Sequence, residues 1–527
     1  MSKQAQDCLQ RALAAPVYDL ARRTSLDYAP NLSARIGQKL WLKREDTQPT
    51  HAFKLRGAYN CIKQLSDNER RQGVVAASAG NHAQGVAMSA RELGVKSTIF
   101  MPCTTPGIKV RAVEAFGARI ELVGDDYDAA CEMAIEFSRK SNGYFIHPFD
   151  NLDVIAGQGT IGLEINEQLE LPPGIVFLPI GGGGLAAGVA VTIKAVHPGV
   201  RIIGVEPDDA ASMYAALNAG KPVDIGTTGM FADGVAVRKV GNVTFDLCRE
   251  LVDEVITVTV DQVCAAVKSI FEEVRAVAEP AGALAVAGAI QHAAREHNNA
   301  LPEGDWVAVV SGANVNFDRL GHVVERCALG EGKEALLAIT IPERPGSFLE
   351  FCQILGESSV TEFNYRYAGN NNAHVFVGVH LEERSRHLQA RLSDAGYGVK
   401  DLSKNEVAKL HLRHLVGGRL PFSEHERLYR FEFPERPGAL LNFLNVLAGR
   451  WSISLFHYRN HAAANARILA GFLVPPEDED AFHEFLEATR YHFTDETENA
   501  ACLEFLSAPE AKRKVAGSGS ENSIPER

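Results

Sequence analysis

The chain has 527 residues, 46% of them hydrophobic and 23% charged, an ordinary globular composition and more length than one hydrophobic core organises, so at least two domains are expected. A formal net charge of −13, with the only dense basic run at Lys512-Arg513-Lys514 near the end of the chain, excludes nucleic acid and anionic membrane as partners. Nine cysteines with no C-x-x-C pair give neither a disulfide framework nor a zinc pattern, and a reducing cytosol is the expected location.

The first residues, Met1 to Arg11, are polar and acidic where a signal peptide needs an apolar stretch, and no apolar run reaches membrane-spanning length. The first segment of chemical interest is His51-Ala-Phe-Lys54-Leu-Arg-Gly57, which sets a lysine between a polar loop and a helix. Read alone, Lys54 is more often a surface charge than a catalyst. A strand is expected at Val74–Ala77 and a helix at His82–Leu93. Between them runs Ser78-Ala-Gly-Asn-His-Ala-Gln-Gly85, whose backbone N–H groups and helix dipole suit a carboxylate. A plain capped connection remains the alternative there.

Further strands are expected at Ser97–Met101, Arg119–Val123, Ile175–Ile180, Val200–Val205, Val255–Val260 and Trp306–Val310, with a helix at Val154–Leu169. Short β-branched runs alternating with helical patterns indicate a mainly parallel α/β sheet. After Ile180 comes Gly181-Gly182-Gly183-Gly184-Leu185. Four glycines at a strand-to-helix junction allow close approach to an anion and favour a phosphate, the alternative being a flexible turn. The run lacks both the Gly-Lys-Ser/Thr of a Walker loop and the G-x-G-x-x-G of a dinucleotide site. Ser311-Gly-Ala-Asn314 follows the last strand at its carboxyl end, where α/β folds place ligands; Ser311 equally suits a helix cap.

After about Gly332 the texture changes. Ile341-Pro-Glu-Arg-Pro-Gly346 recurs as Phe433-Pro-Glu-Arg-Pro-Gly438, an offset of 92 residues, and each copy is followed by a helical stretch (Ser347–Leu355, Ala439–Leu447) and a strand-like one (Val360–Tyr367, Ile453–Arg459). The reading is a catalytic domain at 1–330, two βαβ-type modules at 334–406 and 428–500 joined through Gly417-Gly418, and a disordered tail at 508–527. His411 and His414 are read as a solvated helix face, and no metal is assigned.

Taken together, Lys54, the Ser78–Gly85 turn, the glycine run and Ser311 resemble the fold-type-two pyridoxal-phosphate enzymes, the tryptophan synthase β-like family, and within it the threonine ammonia-lyases. The resemblance covers the whole catalytic part and continues into the repeats, which look like the tandem ACT-like α+β pair of the biosynthetic form. It implies that Lys54 carries pyridoxal 5'-phosphate covalently, with Phe53 beside the ring, Asn81 on the ring hydroxyl, Gly181, Gly182, Gly183, Gly184 and Leu185 on the phosphate, and Ser311 at the ring nitrogen. Ser78, Ala79, Gly80, Asn81 and His82 would form the substrate loop. The implied activity is deamination of L-threonine, and of L-serine, to a 2-oxo acid and ammonia, 2-oxobutanoate in the case of threonine. For the family's biosynthetic form this is the committed step toward isoleucine, in a cytoplasmic homotetramer inhibited by isoleucine, with valine opposing.

A serine or threonine dehydratase of catabolic type would share the catalytic motifs and lack the repeat, and an amino-acid-binding protein on a decayed enzyme would keep the repeat and lose the site residues. Two departures stand out. Serine racemase resembles the chain near Asn81 but has a serine where this chain has Ala79, so little racemisation is expected. Glu206-Pro-Asp-Asp-Ala210 resembles the region of that enzyme's divalent-cation site, but Ser212 stands at the later acidic position.

Overall fold

The computed structural model describes residues 1–296, 304–342, 350–351, 354–355, 360–365, 372–381, 387–414, 425–434, 443, 446–447, 450–459 and 465–506. The chain forms two compact units, Met1–Gly330 and Glu331–Arg527.

Strands of the first unit are β1 (Leu26–Tyr28), β2 (Leu40–Arg44), β3 (Val74–Ala77), β4 (Ser97–Met101), β5 (Arg119–Leu122), β6 (Tyr144–Phe145), β7 (Ile175–Pro179), β8 (Arg201–Pro207), β9 (Glu254–Val258) and β10 (Trp306–Val310). They build a larger sheet in the order β1-β2-β10-β7-β8-β9 and a smaller one in the order β5-β4-β3-β6. Every pairing is parallel except β1 with β2. All five residues of β7 and of β10 are buried, which fits central parallel strands covered on both faces by crossover helices.

Period-two alternation still sorts those side chains. Ile175, Phe177, Trp306 and Ala308 pack with the helices Val260–Val274 and Pro280–Arg295. Val176, Leu178, Val307 and Val309 pack with the helices Lys3–Leu13, Leu152–Gln168 and Gly184–Val196 on the other face. The smaller sheet repeats the arrangement, with Val74, Ala76, Ile99 and Met101 toward one core and Val75, Ala77 and Phe100 toward another. Parallel strands carry their carboxyl ends on one edge, so the segments after β3, β7 and β10 become available to ligands.

Beneath that edge lies a quartet of charges with no solvent exposure. The Arg56 guanidinium donates to both carboxylate oxygens of Glu45, each at 2.8 Å, and to Glu164 at 2.6 Å. The Lys43 ammonium donates to the other Glu164 oxygen at 2.5 Å. All four side chains are fully buried, and two cations balance two anions. Since Arg56 stands two residues after Lys54 on the helix Lys54–Gln64, the quartet anchors the first turn of the helix that presents the lysine.

In the second unit, β11 (Glu334–Pro342), β12 (Val360–Tyr365), β13 (Asn372–His380) and β14 (Gly398–Asp401) form a sheet in the order β12-β13-β11-β14. The strands β15 (Glu426–Pro434), β16 (Ser452–Arg459), β17 (Asn465–Leu473) and β18 (His492–Asp495) repeat it as β16-β17-β15-β18. All neighbours are antiparallel, so β11 and β12 run the same way with β13 slotted between them, a split βαβ arrangement. Asn405 Nδ2 donates to Asn499 Oδ1 at 3.1 Å, and the Phe376 and Phe505 rings meet edge-on at 5.7 Å, joining the two repeats. The Pro-Glu-Arg-Pro-Gly turns from 343 and from 435 onward, parts of the two helical stretches, the Gly417-Gly418 linker and the tail at 508–527 lie outside the described residues. His411 departs from expectation: it is fully buried, because the short helix Glu406–Leu410 and the turn Leu412–His414 fold inward there.

Candidate active site

One cleft of the first unit brings together the four stretches singled out in the sequence. Phe53, Lys54, Asn81, Gly181–Leu185 and Ser311 all line it. Ser78, Ala79 and Gly80 are half-buried in the turn leading to Asn81 and are not among the lining residues. His82 is buried and donates from Nε2 to the Ile146 carbonyl at 2.9 Å. Burial, with Lys54 adding to it, pushes its pKa down to about 3, so the imidazole is neutral and ties the turn to the smaller sheet.

Lys54 is the first residue of its helix. Burial holds its pKa below the usual lysine value, opposed by the carboxylate of Glu279, which raises the share of neutral, nucleophilic amine. The Phe53 N–H donates to the Ser311 carbonyl at 3.1 Å, so the segment after β10 is stitched to the lysine segment.

Glycine is required in the run by geometry. A Cβ on Gly182 would strike the Phe149 ring, and Gly183 has φ +94°, with a Cβ there 2.8 Å from Met213 Cε. The Gly182 carbonyl accepts from the Thr244 hydroxyl at 2.7 Å, turning it away from the cleft. No side chain caps the helix Gly184–Val196. Its first N–H groups therefore await an anion.

Asn81 is oriented from both sides. Its Oδ1 accepts from Asn314 Nδ2 at 2.7 Å, and Asn314 Nδ2 also reaches the Thr50 carbonyl at 2.7 Å. Its Nδ2 donates to Glu279 Oε1 at 2.6 Å. Glu279, buried at the cap of the helix Pro280–Arg295, lines the cleft and was missed by sequence reasoning. The available signal was a glutamate directly before a proline that opens an alanine-rich, buried helix. Ser311 is buried and donates weakly to the Ala281 carbonyl at 3.4 Å, presenting a neutral hydroxyl. Glu206 is engaged elsewhere: its two oxygens accept the N–H groups of Met213 and Tyr214, both at 2.8 Å.

Residues 17–312 match the pyridoxal-phosphate dependent enzymes, and residues 325–412 and 417–506 match the C-terminal regulatory domain of threonine dehydratase. The biosynthetic L-threonine dehydratase of Escherichia coli (strain K12) is 52% identical over 504 residues, 95% of this chain and 97% of that one. The chain belongs to the biosynthetic threonine dehydratase family. Another member, the chloroplastic enzyme of Arabidopsis thaliana, is 46% identical over 93% of this chain and 82% of its own. Among solved structures, the processed threonine deaminase isoform 2 of Solanum lycopersicum superposes with TM-score 0.61 at 45% identity, over 62% of this chain and 90% of that one. Maize serine racemase superposes with TM-score 0.56 at 32% identity, over 60% and 96%.

As a threonine dehydratase the chain uses pyridoxal phosphate, and the cleft fits it. The glycine cradle, which any Cβ would obstruct, and the uncapped helix end suit a phosphate. The lysine amine stands in the same cleft.

Proposed function

We propose that the chain deaminates L-threonine, and also L-serine, to the 2-oxo acid and ammonia, with Lys54 as both cofactor-bearing residue and base. The observation that carries this reading is the convergence of a partly desolvated lysine amine and an uncapped, glycine-lined helix end in one cleft. Pyridoxal phosphate, when bound there, withdraws electron density from the substrate's Cα.

The chain's own residues do the rest. The amides of Gly181 to Leu185 and the helix end would hold the phosphate. Phe53 would flank the ring, and the second N–H of Asn81 Nδ2 would serve the ring hydroxyl. Ser311 would offer the ring nitrogen a neutral hydroxyl in place of a carboxylate that would keep it protonated. The turn of Ser78, Ala79, Gly80, Asn81 and His82 receives the substrate carboxylate with its backbone donors. The Lys54 amine would take the Cα proton. The β-hydroxyl then departs as water, and hydrolysis returns a water, so threonine yields one 2-oxobutanoate and one ammonia.

The second unit would read isoleucine as inhibitor and valine as its opponent, within a cytoplasmic homotetramer; the duplicated sheets and the regulatory-domain match support an effector-binding role for that unit. No helix among the described residues is long and apolar enough to cross a membrane. Incubating purified protein with L-threonine tests the activity: 2-oxobutanoate and ammonia should appear in equal amounts, and ammonia without the 2-oxo acid, or neither, overturns it.

A further inference from the structure

We propose that Glu279 is the charge-setting positioning residue of the lysine site, fixing the Asn81 carboxamide and placing one ionisable carboxyl group opposite Lys54. The inference rests on the reading that the cleft holds pyridoxal phosphate, and it goes beyond that reading in assigning a group that governs how the site responds to pH.

The geometry is a relay. The Thr50 carbonyl accepts from Asn314 Nδ2, which also donates to Asn81 Oδ1, and Asn81 Nδ2 donates to Glu279 Oε1. This order leaves no ambiguity in the Asn81 amide, because the carbonyl of Thr50 can only accept and so fixes Asn314 as the donor. One Nδ2 hydrogen of Asn81 is spent on Glu279, and the other remains for the cleft. Glu279 is held against the segment after β10: its N–H donates to the Gly312 carbonyl at 3.1 Å, and its Oε1 lies so close to Gly312 that a Cβ there would collide with it. Carboxyl, carboxamide and the segment after β10 are therefore packed as one connected assembly.

Charged groups face Glu279 from three further elements. Asp233 comes from the turn Asp233–Val235, Lys109 from the helix Gly107–Glu114, and Lys54 from its own helix. Asp233 is itself paired with Lys109 at 2.7 Å and with Arg319 at 3.3 Å. Burial first, and then Asp233, push the Glu279 carboxyl up to about 7, against the pull of the Asn81 N–H, Lys109 and Lys54. In its charged form Glu279 raises the Lys54 pKa. Proton loss from Glu279 near neutrality thus strengthens its bond from Asn81 and favours the charged form of the lysine.

The test is the visible absorption of the holoenzyme titrated through neutrality, with cofactor release after dilution as a second readout. Wild-type protein should show a spectral transition through neutrality, and Glu279→Gln, which keeps the shape and removes the charge, should abolish it. Asp233→Asn removes the acid that raises Glu279 and leaves Lys109 and Arg319 uncompensated, so the midpoint should move to lower pH. Asn314→Ala should keep the transition but release the cofactor roughly tenfold faster, the expected loss for one buried hydrogen-bond partner. A transition surviving unchanged in Glu279→Gln, or an unmoved midpoint in Asp233→Asn, overturns the inference, as does a wild-type cofactor band with no transition near neutrality. Absence of any cofactor band overturns the reading of the cleft and the inference together.

Discussion

Replacing Glu164 by glutamine leaves Lys43 and Arg56, both fully buried, facing the single carboxylate of Glu45. Removing one partner from a buried ion pair costs about 3 to 5 kcal/mol, because the charge left behind has neither water nor a counter-charge. Urea denaturation followed by circular dichroism should therefore show the midpoint of the first unit lowered by about 1 to 2 M. The deficit should depend on pH with a definite sign. Burial already holds Lys43 below the usual lysine value, with Glu164 the main opposing influence, and the substitution removes that opposition. From the lowered folded-state pKa up to the unfolded value of 10.5, the unfolded chain binds more protons than the folded one, so the variant's stability should rise with pH as Lys43 sheds its charge. Wild-type Glu164 behaves in the opposite sense: burial alone would raise its pKa, but Arg56 and Lys43 outweigh it, and its contribution is lost only as pH falls below the usual carboxylate range. A loss under about 1 kcal/mol, the level of an exposed pair, or a deficit indifferent to alkaline pH, would refute the buried quartet.

Three further outcomes follow from the sites. Gly183→Asp should weaken cofactor binding by an order of magnitude or more, measured by titration, since it puts a carboxylate beside the phosphate on a residue at φ +94°; unchanged affinity would remove the glycine run from the phosphate site. L-Serine should yield pyruvate and ammonia without accumulating D-serine by chiral chromatography, because Ala79 offers no hydroxyl to protonate the face opposite Lys54, and appreciable D-serine would sink that argument. A chain truncated after Lys333 should keep threonine turnover and lose isoleucine inhibition, a coupling typically of ~1 to 3 kcal/mol; inhibition retained at the same midpoint would put the effector on the first unit.

What the sequence disclosed follows from what is local. Strands β3, β4 and β10 lie where the β-branched runs put them, since runs bounded by glycine, proline or polar residues leave little choice of length. Elsewhere the ends shifted by a residue or two: β8 continues through Pro207 as an edge of the Glu206 turn, and β7 stops at Pro179, just before the glycines. β2 escaped notice because Leu40-Trp-Leu-Lys-Arg44 carries two charges, and those charges are buried by partners outside the strand, the distant Glu164 for Lys43 and Asp27 with Asp46 for Arg44. The two-residue β6 has no periodicity to detect. Asn81, the glycine run and Ser311 were marked as candidates by small and polar residues at strand-to-helix turns, whereas Lys54 and the role of each residue came from the family resemblance of the four segments taken together. Glu279 and Asn314 were not, since their roles arise from hydrogen bonds across 198 and 233 positions of sequence to Asn81.

The account stands or falls on the lysine. Lys54→Ala should leave a folded protein, by circular dichroism, that lacks the borohydride-sensitive visible band of the wild type and releases no 2-oxobutanoate from L-threonine above background. A Lys54→Ala protein that keeps near-normal deamination would contradict it.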